Sequence, residues 1–156
     1  MLNLTNYLVP LDQLDGSKLL LNWSWLLEHD KTLLSLTKMG DALLYDKPGR
    51  LFHLGTGAGE VNLICDNYWD FYNGVLKQDV YEEVLLPGLL DELESGSVLL
   101  ELNQVYSFYV IPLIGGSYGE GNRYPLCAYE HYNLTGEVHF KLSNLPDGTQ
   151  VSFKVE

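Results

Sequence analysis

Positive charge is scarce in this sequence: nine Lys and Arg stand against 21 Asp and Glu in 156 residues, for a net charge of −12 at pH 7. Such a surface repels phosphate backbones and anionic lipid, so nucleic acid and membranes are poor partners and a basic protein is a good one. Cysteine is nearly absent. Cys65 and Cys127 are the only two, and without a secretory signal they read as reduced core thiols, not as a disulfide or a redox pair. That signal is itself missing: Lys18 is the first basic residue, and Met1 to Val9 include Asn3, Thr5 and Asn6 in place of a basic patch and an apolar run. The expected location is therefore cytoplasmic, and the glycosylation sequons at Asn3, Asn22 and Asn133 then match by pattern alone. No long hydrophobic run occurs either. The longest uncharged stretch, Leu102 to Gly119, holds Asn103, Gln104, Ser107, Pro112 and Gly115-Gly116, and reads as a strand entering a loop.

What is present suffices for a folded domain. Hydrophobic residues make up 46% and charged residues 19%, close to globular averages, and the length supports one core without a staple. Ser17 is expected to cap a helix whose stripe Leu19, Leu20, Trp23, Leu26 and Leu27 runs to His29 and Asp30. Four β-rich runs follow: Thr32 to Thr37, Asp41 to Tyr45, Arg50 to Leu54 and Glu60 to Ile64. Met39-Gly40, Lys47-Pro48-Gly49 and Gly55-Thr56-Gly57-Ala58-Gly59 separate them, which predicts an antiparallel meander. Asp66 opens a second helix carrying Tyr68, Phe71, Tyr72 and Val75. Asp79 and Glu82 suggest a capping box ahead of Leu86, Leu89, Leu90 and Leu93, with Pro87 making either one kinked helix or two short ones. Val105 to Ile111 and Pro125 to Tyr129 read as strands flanking the loop Gly115 to Gly121. A last helix, Glu130 to Leu145, presents Leu134, Val138 and Leu142, and an alternating tail follows with Val151, Phe153 and Val155. The sum is a single α+β domain over 1–156, with one mostly antiparallel sheet and helices packed on it.

No catalytic motif emerges. Gly55 to Gly59 leads into a strand and not into a helix N-terminus, so it reads as a hairpin turn and not as a phosphate cradle. No Lys follows the Gly115 to Gly121 loop in P-loop spacing. That loop reads as a plain connection, with the alternative that its glycines bring backbone and Tyr118 to a ligand. His29, His53, His131 and His139 show no metal-ligand spacing and read as structural or surface residues. Cys127 with His131, or Asp66, would carry an enzyme alternative, but no third member or activating cation is in view. No cofactor or metal is called for. Eleven tyrosines occur, six of them from Tyr106 to Tyr132; they suit either a protein-binding face or the wet edge of a core. The acidic run Asp79, Glu82, Glu83, Asp91, Glu92 and Glu94 reads as a solvated helix face, or as steering charge for a basic partner.

Trp23-Ser24-Trp25-Leu26-Leu27, Gly40-Asp41-Ala42-Leu43-Leu44, Leu54-Gly55-Thr56-Gly57 and Leu86-Pro87-Gly88-Leu89-Leu90-Asp91-Glu92-Leu93 follow one another in that order. Val105-Tyr106-Ser107-Phe108, Pro112 to Tyr118, Leu134-Thr135-Gly136-Glu137-Val138-His139 and Leu145-Pro146-Asp147-Gly148-Thr149 continue the series. Taken together, about Trp23 to Gln150 resembles the bacterial domain family found at the C-terminus of immunity proteins that neutralise type VI secreted DNase effectors. It is similar, more loosely, to the immunity superfamily related to a yeast cell-wall synthesis regulator. In the better-known members a second domain precedes this one, whereas here the chain before Trp23 is short. The resemblance implies a non-enzymatic binder that occludes a basic nuclease toxin; a regulatory scaffold for another cytosolic protein is the alternative. The expected partner-binding residues are Tyr118 and Glu120 on the loop, with Asp91, Glu92 and Glu94 on the acidic helix. The sheet near Tyr45 and Arg50 is the competing face.

Overall fold

The structure, a computed structural model, describes residues 3–149; the tail with Val151, Phe153 and Val155 lies outside them. Five strands, β1 (Leu8–Val9), β2 (Thr32–Thr37), β3 (Ala42–Tyr45), β4 (Leu51–Gly55) and β5 (Glu60–Cys65), form one antiparallel sheet in sequence order. The meander therefore forms at the punctuation expected of it, with Gly40, Gly49 and Gly59 at positive φ in its three turns. Each needs a left-handed residue there, which glycine supplies without strain. A second, two-stranded antiparallel sheet joins β6 (Gln104–Phe108) to β7 (Arg123–Cys127), and is tied to the first through Tyr106 N–H donating to Lys38 C=O at 2.8 Å. The class is α+β, in a single domain.

Both faces of the five-stranded sheet are covered. Ala42 and Leu44 of β3 point to one side, with Leu36 and Leu54, and are buried under Leu19, Trp23, Ala128 and Tyr132. Leu43 points to the other side and packs with Leu51, Phe71, Tyr81, Val84 and Leu85. A central strand buried on both faces needs no polar alternation, which is why Ala42-Leu43-Leu44 is a continuous apolar run. A third cluster of Met39, Leu90, Leu93 and Tyr106 joins the small sheet to the helices.

The helices depart from expectation in instructive ways. The long first helix is instead a short α1 (Gly16–Leu19) followed by a 3₁₀ turn, Leu21–Trp23. Asp15, not Ser17, caps α1, accepting from the Ser17 and Lys18 N–H groups. The Ser24 hydroxyl donates to Leu21 C=O at 2.8 Å, a local bond that competes with continued α-helix. In α2 (Tyr68–Tyr72) the cap is Asn67 and not Asp66, and Val75 falls beyond the helix and is exposed.

Pro87 produces two helices, α3 (Gln78–Leu85) and α4 (Pro87–Ser95), with Leu86 in the left-handed region between them at φ 50°. The Asp79–Glu82 capping box does not form, because α3 starts at Gln78 and leaves Asp79 inside the first turn. There its carboxylate still meets the positive end of the helix. The strand expected over Val105 to Ile111 stops at Phe108, since Asn122 takes over the next backbone groups: its C=O accepts from Tyr109 N–H and its side-chain oxygen from Val110 N–H.

The largest correction concerns α5 (Ala128–Ser143). Leu134 is exposed, and Val138 and Leu142 are only half-buried, while His131, Tyr132, Thr135, Gly136 and His139 face inward. The helix is turned so that polar groups enter the interior, which requires partners for them there.

Candidate functional site

Those partners come from the β4–β5 turn, the β2–β3 turn and β6. Thr56 is fully buried; its hydroxyl donates to Gly40 C=O at 2.9 Å and its N–H to Asp41 Oδ1 at 3.0 Å. From α5, His131 Nε2–H donates to the same Gly40 C=O at 2.8 Å, and its Nδ1 accepts from the Ser107 hydroxyl at 2.7 Å. A carbonyl can only accept, so Nε2 carries a proton. Two helical turns further on, His139 Nε2–H donates to Thr56 C=O at 2.7 Å. Burial first, and then the Arg123 guanidinium, pull the His131 imidazole down to about 4.

This Ser–His pair has the distance of a catalytic dyad but not its setting. Ser107 and His131 are both buried, and a β-carbon on Gly40 would lie 2.7 Å from His131 Nε2. Both side chains lie where solvent barely reaches. The nitrogens of His131 serve Ser107 and Gly40, not Cys127. Cys65 and Cys127 are free and half-buried. Among the described residues no group of three His, Cys, Asp or Glu could hold a metal ion, and no helix is long and apolar enough to cross a membrane.

The accessible chemistry lies one layer outward. Asp41 shares its carboxylate between the buried turn and His53 on β4: Oδ2 is 2.8 Å from His53 Nε2. Around this pair opens a cleft of about 380 Å³, lined by Asp41, His53, Glu60, Asn62, Glu83, Leu86 and Tyr118 with the glycines of the β4–β5 turn. Tyr118 lies across Gly57, where a β-carbon would come within 2.9 Å of the ring, and meets Phe108 edge-on at 6.0 Å. Its backbone is held from below. Arg123, 5% exposed, donates from Nε to Tyr118 C=O at 3.1 Å and from Nη1 to Met39 C=O at 2.9 Å, with its guanidinium 3.9 Å from the Phe108 ring centre. Burial lowers Arg123 to about 10, which leaves it charged at neutral pH.

Sequence-expected site residues divide between two places. Tyr118 forms the cleft rim and is 49% exposed. Glu120 opens a 3₁₀ turn, Glu120–Asn122, that packs beside α4. On α4, Asp91 and Glu94 are three residues apart and share a flank, while Glu92 falls on the other. Glu94 borders a separate groove with Lys38, Leu99, Leu102 and Tyr106. All four carboxylates are exposed, but those beside Tyr118 are Asp41, Glu60 and Glu83. Of the competing face, Arg50 is tied to Asp46 at 2.7 Å and Tyr45 stands edge-on to Tyr68. The sequence carries no signal for Asp41, Thr56 and Arg123, and His53 reads there only as a structural or surface histidine; the one signal is the carboxylate of Glu60 at the mouth of the Gly-rich turn.

The Asp41–His53 pair sets a pH signature. Burial opposes ionisation of both groups, but the pairing wins: His53, with help from Thr56 N–H, holds Asp41 below the usual carboxylate range, while Asp41 and then Glu83 hold His53 above the usual imidazole value. A raised histidine stabilises fully below its unfolded value near 6.5, and that contribution fades as pH rises through the folded value; the Asp41 contribution is lost only below about 3.8. The stability lost in His53→Gln, measured by urea unfolding, is therefore expected to be larger at pH 6 than at pH 8.5. A difference that stays constant with pH would show that the pair is not ionised.

No family model matches the sequence, and no curated protein does. Among solved structures, the crystal structure of Atu4351 from Agrobacterium tumefaciens is similar over 78% of this chain, with a TM-score of 0.46 and 14% sequence identity; this chain spans 62% of that one.

Proposed function

We propose that this protein is a non-enzymatic binder of the immunity kind, which captures a basic nuclease and covers its phosphate-binding surface. The observation that carries the reading is the cleft in which Glu60 and Glu83, beside the Asp41–His53 ion pair, surround a half-exposed Tyr118, with no lysine or arginine in its lining. A nuclease must be basic where it holds phosphate, so an acidic cleft steers the encounter while an aromatic side chain supplies the buried anchor. The net charge of −12 extends the same field over the whole surface. Arg123 gives the anchor rigidity, because Tyr118 is fixed through its own carbonyl, and a preordered ring loses little entropy on binding.

The test is to look for a nuclease domain encoded beside this chain's gene and, where one is found, to follow its association with this chain by stopped flow. Raising salt from about 0.1 to 1 M shortens the Debye length from about 10 to about 3 Å, so the on-rate is expected to fall steeply. Tyr118→Ala is expected to weaken binding by about 1–3 kcal/mol, mainly through the off-rate. Glu60→Lys with Glu83→Lys should act on the on-rate, and more strongly than reversal of Asp91, Glu92 and Glu94. Full binding by the Tyr118→Ala, Glu60→Lys, Glu83→Lys variant, melting as the parent does, would overturn the reading.

A further inference from the structure

We propose that the outer edge of β5 takes up an extended segment of a partner protein as a sixth strand, one whose side chains alternate between basic and apolar. Sheets in soluble proteins protect their edges with short strands, prolines, lysines or covering elements. This fold does so at two of its edges: β1 has only two residues and is followed by Pro10, and β7 carries Pro125 within the strand. At β5 that protection is slight: a bulge at Ile64, where the register with β4 steps from Leu63 to Cys65, and Glu60 at the strand's start. It is the terminal strand of the sheet, six residues long, with neither proline nor lysine. Beyond its pairing with β4, no described backbone hydrogen bond reaches residues 60–65.

The edge also carries a pattern that selects the occupant. Alternation along the strand puts Glu60 and Asn62 on the face that lines the cleft with Asp41 and Glu83, and Val61 and Leu63 on the opposite face. Leu63 is 52% exposed. A strand laid beside β5 would set alternate side chains over the carboxylates, where lysine or arginine is complementary, and the rest beside Val61 and Leu63, where apolar groups are. A second copy of this chain is a poor occupant, since it would bring two such acidic edges, each on a chain of charge −12, into contact. The positive charge assigned to the partner rests on the function proposed above; the open edge does not.

The probe is a seven-residue peptide alternating Lys and Val, blocked at both ends, added to the full chain and followed by amide hydrogen exchange. Saturating peptide is expected to slow exchange within residues 60–65 at least tenfold. A Lys–Pro peptide of the same charge, which cannot pair as a strand, should give no such protection, and Leu63→Lys should weaken Lys–Val binding at least fivefold with an unchanged melting curve. Equal protection by the Lys–Pro peptide, or none by Lys–Val, would overturn the proposal. So would protection of 60–65 without peptide in a chain that sediments as a dimer, because the occupant would then be a second copy. Capture of the nuclease with β5 left unprotected would sink the added strand and leave the proposed function standing. Protection by Lys–Val with no nuclease capture would do the reverse.

Discussion

His131→Ala is expected to destabilise the fold by about 3–5 kcal/mol, seen as a lower urea midpoint, although residue 131 lies on a helix whose sequence pattern turned this face outward. The ring bridges three elements, accepting a hydrogen bond from the Ser107 hydroxyl on β6, donating one to Gly40 C=O at the β2–β3 turn, and lying 3.1 Å from the Thr56 hydroxyl. Deleting it opens a cavity and leaves the Ser107 hydroxyl without its acceptor in a buried site. The parent should also be acid-labile. A histidine held near 4 when folded stays neutral while its unfolded counterpart, near 6.5, takes up a proton, so stability falls as pH drops from about 6.5 to 4, by an amount on the order of 3 kcal/mol. His139 is lowered as well, by burial, and adds in the same direction. His53 acts on the other side, weakening the fold as pH rises above 6.5. Maximum stability near pH 6.5 is the joint expectation, and His131→Ala should flatten the acid limb. An unchanged acid limb would show that the ring is not buried neutral.

Gly136→Ala is expected to cost about 3 kcal/mol, at the upper end of what overpacking produces. A β-carbon there would lie 2.6 Å from the backbone oxygen of Asn22 and 2.8 Å from its carbonyl carbon. Neither can swing aside as a side-chain tip could. The same approach lets the Asn22 amide donate to Asn133 C=O at 3.2 Å, stitching the 3₁₀ turn to α5. In an exposed helix this substitution would stabilise by about 1 kcal/mol through propensity, so even the sign of the change, read from thermal or urea unfolding, separates close backbone docking from a merely tolerated glycine.

These two residues mark where sequence reading runs short. The strands were legible because Thr32 to Ile64 alternates short apolar runs with glycine turns, and the turn chemistry is local. Pro87 was legible as a break for the same reason. The inward face of α5 was not: Leu134, Val138 and Leu142 form the expected stripe, whereas His131 and His139 are buried only because Gly40, Thr56 and Ser107, 24 to 91 positions away, supply their partners, and Thr135 donates to His131 C=O within its own helix. Periodicity assigns polar groups to water and has no means of seeing a distant carbonyl. The cleft was half legible. Tyr118 and the excess of acid could be read, but the carboxylates beside that ring come from the β2–β3 turn, β5 and α3, and only the meander and the α3–α4 corner bring them together.

The order of the five strands also bears on how the chain comes off the ribosome. Since β1 to β5 lie in the sheet as they lie in the sequence, every ladder can close once residue 65 has emerged. The face bearing Leu36, Ala42, Leu44 and Leu54 must nevertheless wait for Ala128 and Tyr132 of α5, more than 60 residues later, before its cover is complete. Through that interval the nascent chain carries a finished sheet with one side covered only by Leu19 and Trp23, a state in which holding chaperones and stray strand edges compete for it. Delivery of the last helix, more than closure of the sheet, is then the event that commits this chain to its fold.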